Sequence, residues 1–538
     1  MINNTASGLP TSGSQRLYLI TERVIIFSLV MYALFAPHSI AITQGAFLLG
    51  LVAWAVQMTA GRNLQIRRTP VDIALLGFFA CCVVSSFLSY DPLVSVKGLR
   101  SPAFFLAFYF VSNKVKSLRL ASFLAFAIVA SCLANVAYSA VQLGIGRGIR
   151  INSIREDSPF ANKGLGVGDV IIEADGQPVN SQEELSLIID SWRTSPTQRG
   201  QLRIKFQRSE AIAETSISRK LDGVGVERLG ITTSPGRNFR VMGFYSHYET
   251  YAEVLQLIAA LAVGMLLALP NKKSVAALLL GGAFILLAAT LVMTSTRAAI
   301  AGLTIAIAVM AFASARRRIV IAALLGLMLA APVAYLVVER SRGISVLDPE
   351  EGSTAYRLEV WREAFGIIKD HPLVGIGKGS EGKLKETWGL YEDGKLPPGH
   401  FHSTPIQIAT WWGLPALILY FSMMAIFAVE TWKLCKRLKS ERRWTLRGIA
   451  LGGLGALVAF NVSSLVHFNF GDGEVVMMFW LLAGLVFAAR RIAFEARDSN
   501  KIEHRPQPPP EDNSHRNLPL EPAVIAEPNV RAAKARQN

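Results

Sequence analysis

Two histidines separated by one residue, in Gly399-His400-Phe401-His402-Ser403-Thr404-Pro405-Ile406-Gln407, stand where a long polar loop runs into an apolar segment. A neutral imidazole can accept a hydroxyl proton near neutral pH. Without a HExxH motif or a cysteine partner the pair does not make a zinc site, so neither metal nor cofactor is expected. The cations that could accompany such a base are Arg297, in Thr294-Ser295-Thr296-Arg297, and Arg357 and Arg362, in Tyr356-Arg357-Leu358-Glu359-Val360-Trp361-Arg362. An arginine at membrane depth is costly unless it meets water or an anion, and its planar fork suits phosphate. Each residue also has a plainer reading. A lone histidine is usually structural, Arg297 can be a boundary residue that snorkels, and Arg362 reads best as a solvated loop residue. His402 is the preferred base, with His400 and Arg362 kept as secondary candidates.

The elements that must position these groups are membrane helices. Of 538 residues, 51% are hydrophobic and only 17% charged, and the mean hydropathy is +0.36. Apolar runs approach the roughly 20 residues that cross a bilayer. The expected fold is an all-α polytopic membrane protein of about 12 transmembrane helices, with an inserted small α+β domain and a large outer loop. The spans fall at roughly 17–36, 40–59, 71–90, 101–113, 119–143, 251–269, 274–293, 298–314, 318–338, 404–431, 447–467 and 473–490. The fourth is short and preceded by Pro102, so an earlier start or a kink is expected. The first sixteen residues are polar, which argues against a cleavable signal peptide.

The net charge of +16 does not point to nucleic acid. Cations crowd alternate loops: Arg62, Arg67 and Arg68; Lys114, Lys116 and Arg119; Lys272 and Lys273; Arg316, Arg317 and Arg318; and Lys433 through Arg447. The opposite short loops hold only Lys97, Arg100 and Arg297. The bias puts the first set and both termini in the cytoplasm. The polar segments 144–250 and 339–403 then share the outer side. The four cysteines, Cys81, Cys82, Cys132 and Cys435, form no CxxC pair and read as small core residues.

Residues 147–221 have soluble character. Ile149, Ile151 and Ile154 suggest a strand, and Gly168 to Ala174 suggests a second, closed by the turn pair Asp175-Gly176. Ser181 with Glu184 makes a capping box that opens a helix to about Trp192. Leu202, Ile204 and Phe206 alternate with polar residues as a half-buried strand does. The order resembles a bacterial PDZ domain, in Ser158-Pro159-Phe160-Ala161, Gly164-Leu165, Gly168-Asp169-Val170-Ile171 and Asp175-Gly176-Gln177-Pro178-Val179. That resemblance implies a peptide or protein ligand added as a strand. Gly146-Arg147-Gly148 follows so closely on a span that little room is left for the usual first strand. A docking or spacer role is the alternative.

From about Gly243 to Ala489 the chain resembles the O-antigen ligase family of bacterial envelope glycan transferases. The matching motifs are Ser295-Thr296-Arg297, Arg357 with Trp361, Asp370-His371-Pro372-Leu373-Val374-Gly375-Ile376-Gly377, and His402-Ser403-Thr404-Pro405-Ile406-Gln407 with Trp412-Gly413-Leu414-Pro415. The resemblance implies that His402 is catalytic, that Arg297 and Arg357 bind the pyrophosphate of an undecaprenyl-linked glycan, and that no metal is needed. It also implies an acceptor such as lipid A-core, another glycan or a protein, and a site facing the periplasm from the inner membrane. Ser403 stands where the family often has Asn, and Trp411 where it often has an acid. A repeat-unit polymerase and a protein oligosaccharyltransferase are rivals within the family. A transporter or scaffold with a PDZ-like module is the rival outside it, although no internal repeat with broken helices is visible. The glycines at 375, 377 and 379 lack the strand-to-helix context of a phosphate loop. The expected organisation is membrane helices over 1–146, the PDZ-like domain over 147–221 and a connector over 222–250. A transmembrane core follows over 251–490, with its loop at 339–403, and then a disordered tail over 491–538.

Overall fold

In the computed structural model the described residues are 12–503, except 61–65, 162, 195–200, 209–210, 218–224, 237–239, 315–351, 385–387 and 392–398. Contacts divide the chain into residues 1–493 and 494–538. Of the second unit only the end of the last helix, to Glu503, is described.

The first unit is mostly helix. α1 (Ser12–Phe35), α2 (Ile40–Ala60), α3 (Asp72–Phe87), α4 (Pro92–Gly98), α5 (Leu106–Lys114) and α6 (Leu118–Ile145) precede the inserted domain. α8 (Tyr248–Ala268), α9 (Val275–Met293), α10 (Arg297–Ala313), α11 (Gly352–Asp370), α12 (Glu381–Leu384), α13 (Thr404–Arg437), α14 (Trp444–Ser464) and α15 (Gly473–Glu503) follow it. Among the described residues nine helical segments are long and apolar enough to cross a membrane. α3 and α10 are apolar but shorter, about 24–26 Å at 1.5 Å per residue. The span expected at 318–338 lies outside the described residues. The fourth expected span both starts earlier and is interrupted: α4, a 3₁₀ turn at Pro102–Phe105 and α5 form one apolar segment from Pro92 to Lys114.

α8 is the axle of the bundle, with almost every side chain buried. It packs on α14 through small residues: a Cβ on Gly264 would collide with the backbone of Gly452. Such small-residue contacts let helix backbones approach where lipid supplies no hydrophobic drive. Outer helices such as α9 instead expose Leu278, Leu279 and Ile285, as a lipid-facing surface does.

The inserted domain is an antiparallel sheet of β1 (Ile149–Ile154), β2 (Val170–Ala174), β3 (Gln177–Pro178), β4 (Leu202–Arg208), β5 (Ala211–Ile217) and β6 (Ile231–Pro235). The strand order is β5-β4-β2-β1-β6, with β3 on β2. The helix α7 (Gln182–Thr194) opens with the expected capping residues. Ser181 Oγ accepts from Glu184 N, and Glu184 reaches back to Asn180 N, one residue before the expected partner. Asp175 and Gly176 both have positive φ, as their turn requires.

Two expected boundaries are corrected. The connector assigned to 222–250 contributes β6, which pairs with β1 from Ile149↔Pro235 to Ile154↔Ile231. The strand for which no room was left before Ile149 is thus supplied from the far end of the domain. The tail expected to be disordered from 491 begins as helix: α15 continues to Glu503. Ile492 and Ala493 are buried, and Arg491 caps the carbonyls of Ser112, Asn113 and Val115. Residues 504–538 lie outside the described residues.

Candidate functional site

The segment before α13 is held from both sides. Phe401 is fully buried, its N–H donates to Gln407 Oε1 at 2.8 Å, and its carbonyl accepts from the indole of Trp361 at 2.7 Å. The Tyr391 hydroxyl donates to the Gly399 carbonyl at 2.5 Å. Thr404 donates twice, from N and Oγ1, to the carbonyl of His467 at 3.1 Å. These bonds fix His402 in the left-handed region, at φ 45°. A non-glycine residue pays for that conformation, and such residues gather at functional sites.

The His402 ring lies 4.2 Å from that of His400 and edge-on to Tyr356 at 5.5 Å. Its Nδ1 is buried without a hydrogen-bond partner. Burial, then the neighbouring His400, pushes its pKa down to about 3. Burial lowers His400 as well. At neutral pH both rings are therefore uncharged.

Opposite them stand two acids on α8. Glu249 lies 3.9 Å from Arg357, and Glu253 accepts from His467 Nδ1 at 2.8 Å. Burial works against a proton on His467, but Glu253 and Glu249 outweigh it, so this histidine is raised. A cavity of about 700 Å³ separates the two sides, lined among others by Glu249, Glu253, His400, His402, His467 and Asp472. Lys378 and Glu381 close another part of the wall. Lys378 lies over the Trp411 ring at 5.2 Å and is lowered by burial. Glu381 is raised by burial and accepts from Gln407 and from the Trp411 indole. An acid is thus present beside Trp411, brought from another element.

The sequence His371 to Gly379 has a structural task. α13 breaks at Gly413, whose φ is 82° and ψ 172°. The break frees carbonyls in the middle of an apolar helix, where each needs a partner. Ile376 N donates to Thr410 O and Gly377 N to Trp411 O, both at 2.9 Å, and Ser85 Oγ adds a bond to Trp411 O. In return Leu414 N donates to the carbonyl of Pro372 at 2.7 Å. A broken helix is therefore present after all, filled by the loop before it.

Of the five candidates, the fold brings three together: His402, His400 and, through Glu249, Arg357. Arg297 opens α10 half-buried, two residues after Ser295 in the left-handed region, and does not line the cavity. Arg362 is 77% exposed and paired with Glu359 on its own helix, away from the cavity. Glu249, Glu253 and His467 were missed. Ionisable residues inside an apolar run are a recognised signal, and Glu253 carries it. His467, after the apolar run of α14, resembles any loop histidine until Glu253 is seen beside it.

No curated protein matches the chain. Family models do: residues 124–217 match the PDZ domain and residues 282–421 the O-antigen ligase family, so the chain carries the segments of both families that its motifs resemble.

Proposed function

We propose that this membrane protein transfers a glycan from an undecaprenyl-pyrophosphate donor to an acceptor hydroxyl, with lipid A-core or a similar molecule as acceptor. The O-antigen ligase match supports a glycan-transferring membrane enzyme in general. The observation that carries the finer reading is His402. Its ring is uncharged, its Nδ1 is unpaired, and it faces a cavity that also holds acidic and cationic groups. An unpaired buried nitrogen is costly, and an acceptor hydroxyl would satisfy it.

In this reading His402 takes the proton of the acceptor as its oxygen attacks the anomeric carbon. Arg357, tied to the cavity wall through Glu249, stabilises the charge that develops on the departing pyrophosphate. The bias of the loop cations supports a site on the periplasmic side of the inner membrane, with both termini in the cytoplasm. The PDZ domain is a docking place for a peptide or protein at that face.

The test uses purified full-length protein in lipid nanodiscs with a synthetic lipid-pyrophosphate-linked glycan. Lipid A-core, free glycan and a hydroxyl-bearing peptide are offered as acceptors. Glycan transfer to lipid A-core is expected. Transfer only to glycan or only to peptide would replace the acceptor, and transfer to none would overturn the reading.

A further inference from the structure

We infer that His467, oriented by Glu253, is a second working group of this site and donates from Nε2 to the pyrophosphate oxygen that leaves the sugar. The inference rests on the glycan-transfer reading above. It adds a residue outside the segment matched to the ligase family, which ends at 421.

The geometry has three parts. First, His467 Nδ1 meets Glu253 at 2.8 Å, which fixes both the ring plane and the nitrogen that carries the bound hydrogen. Second, Nε2 lies 3.8 Å from Glu249, beyond hydrogen-bond reach, while the residue itself lines the cavity. In the protonated ring the N–H there is available to a ligand. Third, the His467 carbonyl takes both donors of Thr404, two residues after His402. The base and the proposed donor are therefore held in one frame.

Glu253 is well supplied with hydrogen-bond partners inside the bundle. Besides His467 it accepts from Ser463 Oγ at 2.7 Å, from Gln256 Nε2 and from Asn469 Nδ2 at 3.4 Å. A buried carboxylate persists only with such partners. The charged and titratable groups that face His467 are Glu249 and Glu253 on α8, Arg357 on α11, and His400 and His402 on the loop. The carboxylates favour an imidazolium at 467, whereas His402 stays neutral. One cavity thus holds one imidazole pushed toward its neutral form and another pushed toward its charged form, a division typical of acid–base sites.

The step balances as follows. The acceptor oxygen bonds to the anomeric carbon and its proton passes to His402. The bond from that carbon to the phosphate oxygen breaks, and the electron pair remains on the oxygen. His467 stabilises this oxygen through a charged hydrogen bond and keeps its own proton.

Two variants separate this role from a structural one. His467→Asn keeps a donor near the Nδ1 position, so the Glu253 contact survives, but it offers nothing to the cavity. His467→Gln extends an uncharged donor toward the Nε2 position. Full-length protein in nanodiscs is assayed with the lipid-pyrophosphate glycan and the acceptor the wild type uses, from pH 5.5 to 9, with thermal unfolding measured on the same samples. Wild-type turnover is expected to fall on the alkaline side as His467 loses its proton. His467→Asn should unfold near the wild-type temperature yet lose roughly 10²-fold in turnover, the scale for removing one preorganised donor. His467→Gln should lose less, and both should lack the alkaline decline. Wild-type turnover in His467→Asn, or an unchanged alkaline decline in both variants, would overturn the inference alone. If the wild type itself transfers no glycan, the functional reading falls and this inference with it.

Discussion

The indole N–H of Trp361 donates to the main-chain carbonyl of Phe401 at 2.7 Å. This bond ties the helix α11 to the residue beside His402. Removing the donor in Trp361→Phe leaves a buried carbonyl unpaired, at a cost of about 1–3 kcal/mol. The expected result is a clear loss of turnover with a small drop in melting temperature. Equal turnover in the variant would show that the tether does not position His402.

His402→Ala is expected to lose roughly 10²–10⁴-fold in turnover, the usual contribution of a general base. His400→Ala should lose less, because its Nδ1 already accepts from His402 N at 3.1 Å and is not free to take a proton. The pH dependence has a definite sign. A base whose pKa is held near 3 is deprotonated throughout the range above it, so kcat/KM for the free enzyme should show no acid limb from His402 between pH 5 and 7. An acid limb near pH 6.5 that disappears in His402→Ala would contradict this burial effect.

The arginines should separate by position. Arg357→Ala is expected to weaken donor binding or turnover by roughly 10–100-fold, the worth of a charge-assisted hydrogen bond. Arg357→Lys should recover little, since a point charge lacks the planar fork. Arg297→Ala should cost less than Arg357→Ala, because only Arg357 is tied to the cavity wall through Glu249. Arg362→Ala, at an exposed pair with Glu359, should be silent. Donor titrations on the variants check all of these, and a silent Arg357→Ala would remove that residue from the site.

Gly413→Ala tests the break in α13. A Cβ there would collide with the carbonyl of Leu373, and the backbone lies in a region that only glycine occupies freely. Strain of this kind costs about 1–3 kcal/mol before the collision is counted. The variant should lose thermal stability and turnover together, because Thr410, Trp411 and Leu414 share their hydrogen bonds with the 372–377 loop. A variant of wild-type stability would mean that the loop and helix can part without cost.

The sequence by itself determined the membrane helices, because apolar periodicity and length are local properties of the chain. It also determined the Asp175-Gly176 turn, the capping of α7 by Ser181 and Glu184, and His402 placed just before α13. Each of these depends on residues a few positions apart. Tertiary structure decided the rest. β6 became part of the sheet only through its pairing with β1, about eighty residues earlier in the chain, and a five-residue strand ending in proline carries no signal strong enough alone. The glycines at 375 and 377 acquired their meaning from carbonyls freed at Thr410 and Trp411. Above all, the acid side of the cavity could not be read along the chain. Glu253 and His467 are 214 positions apart, and only helix packing could pair a buried carboxyl group with the imidazole that it meets.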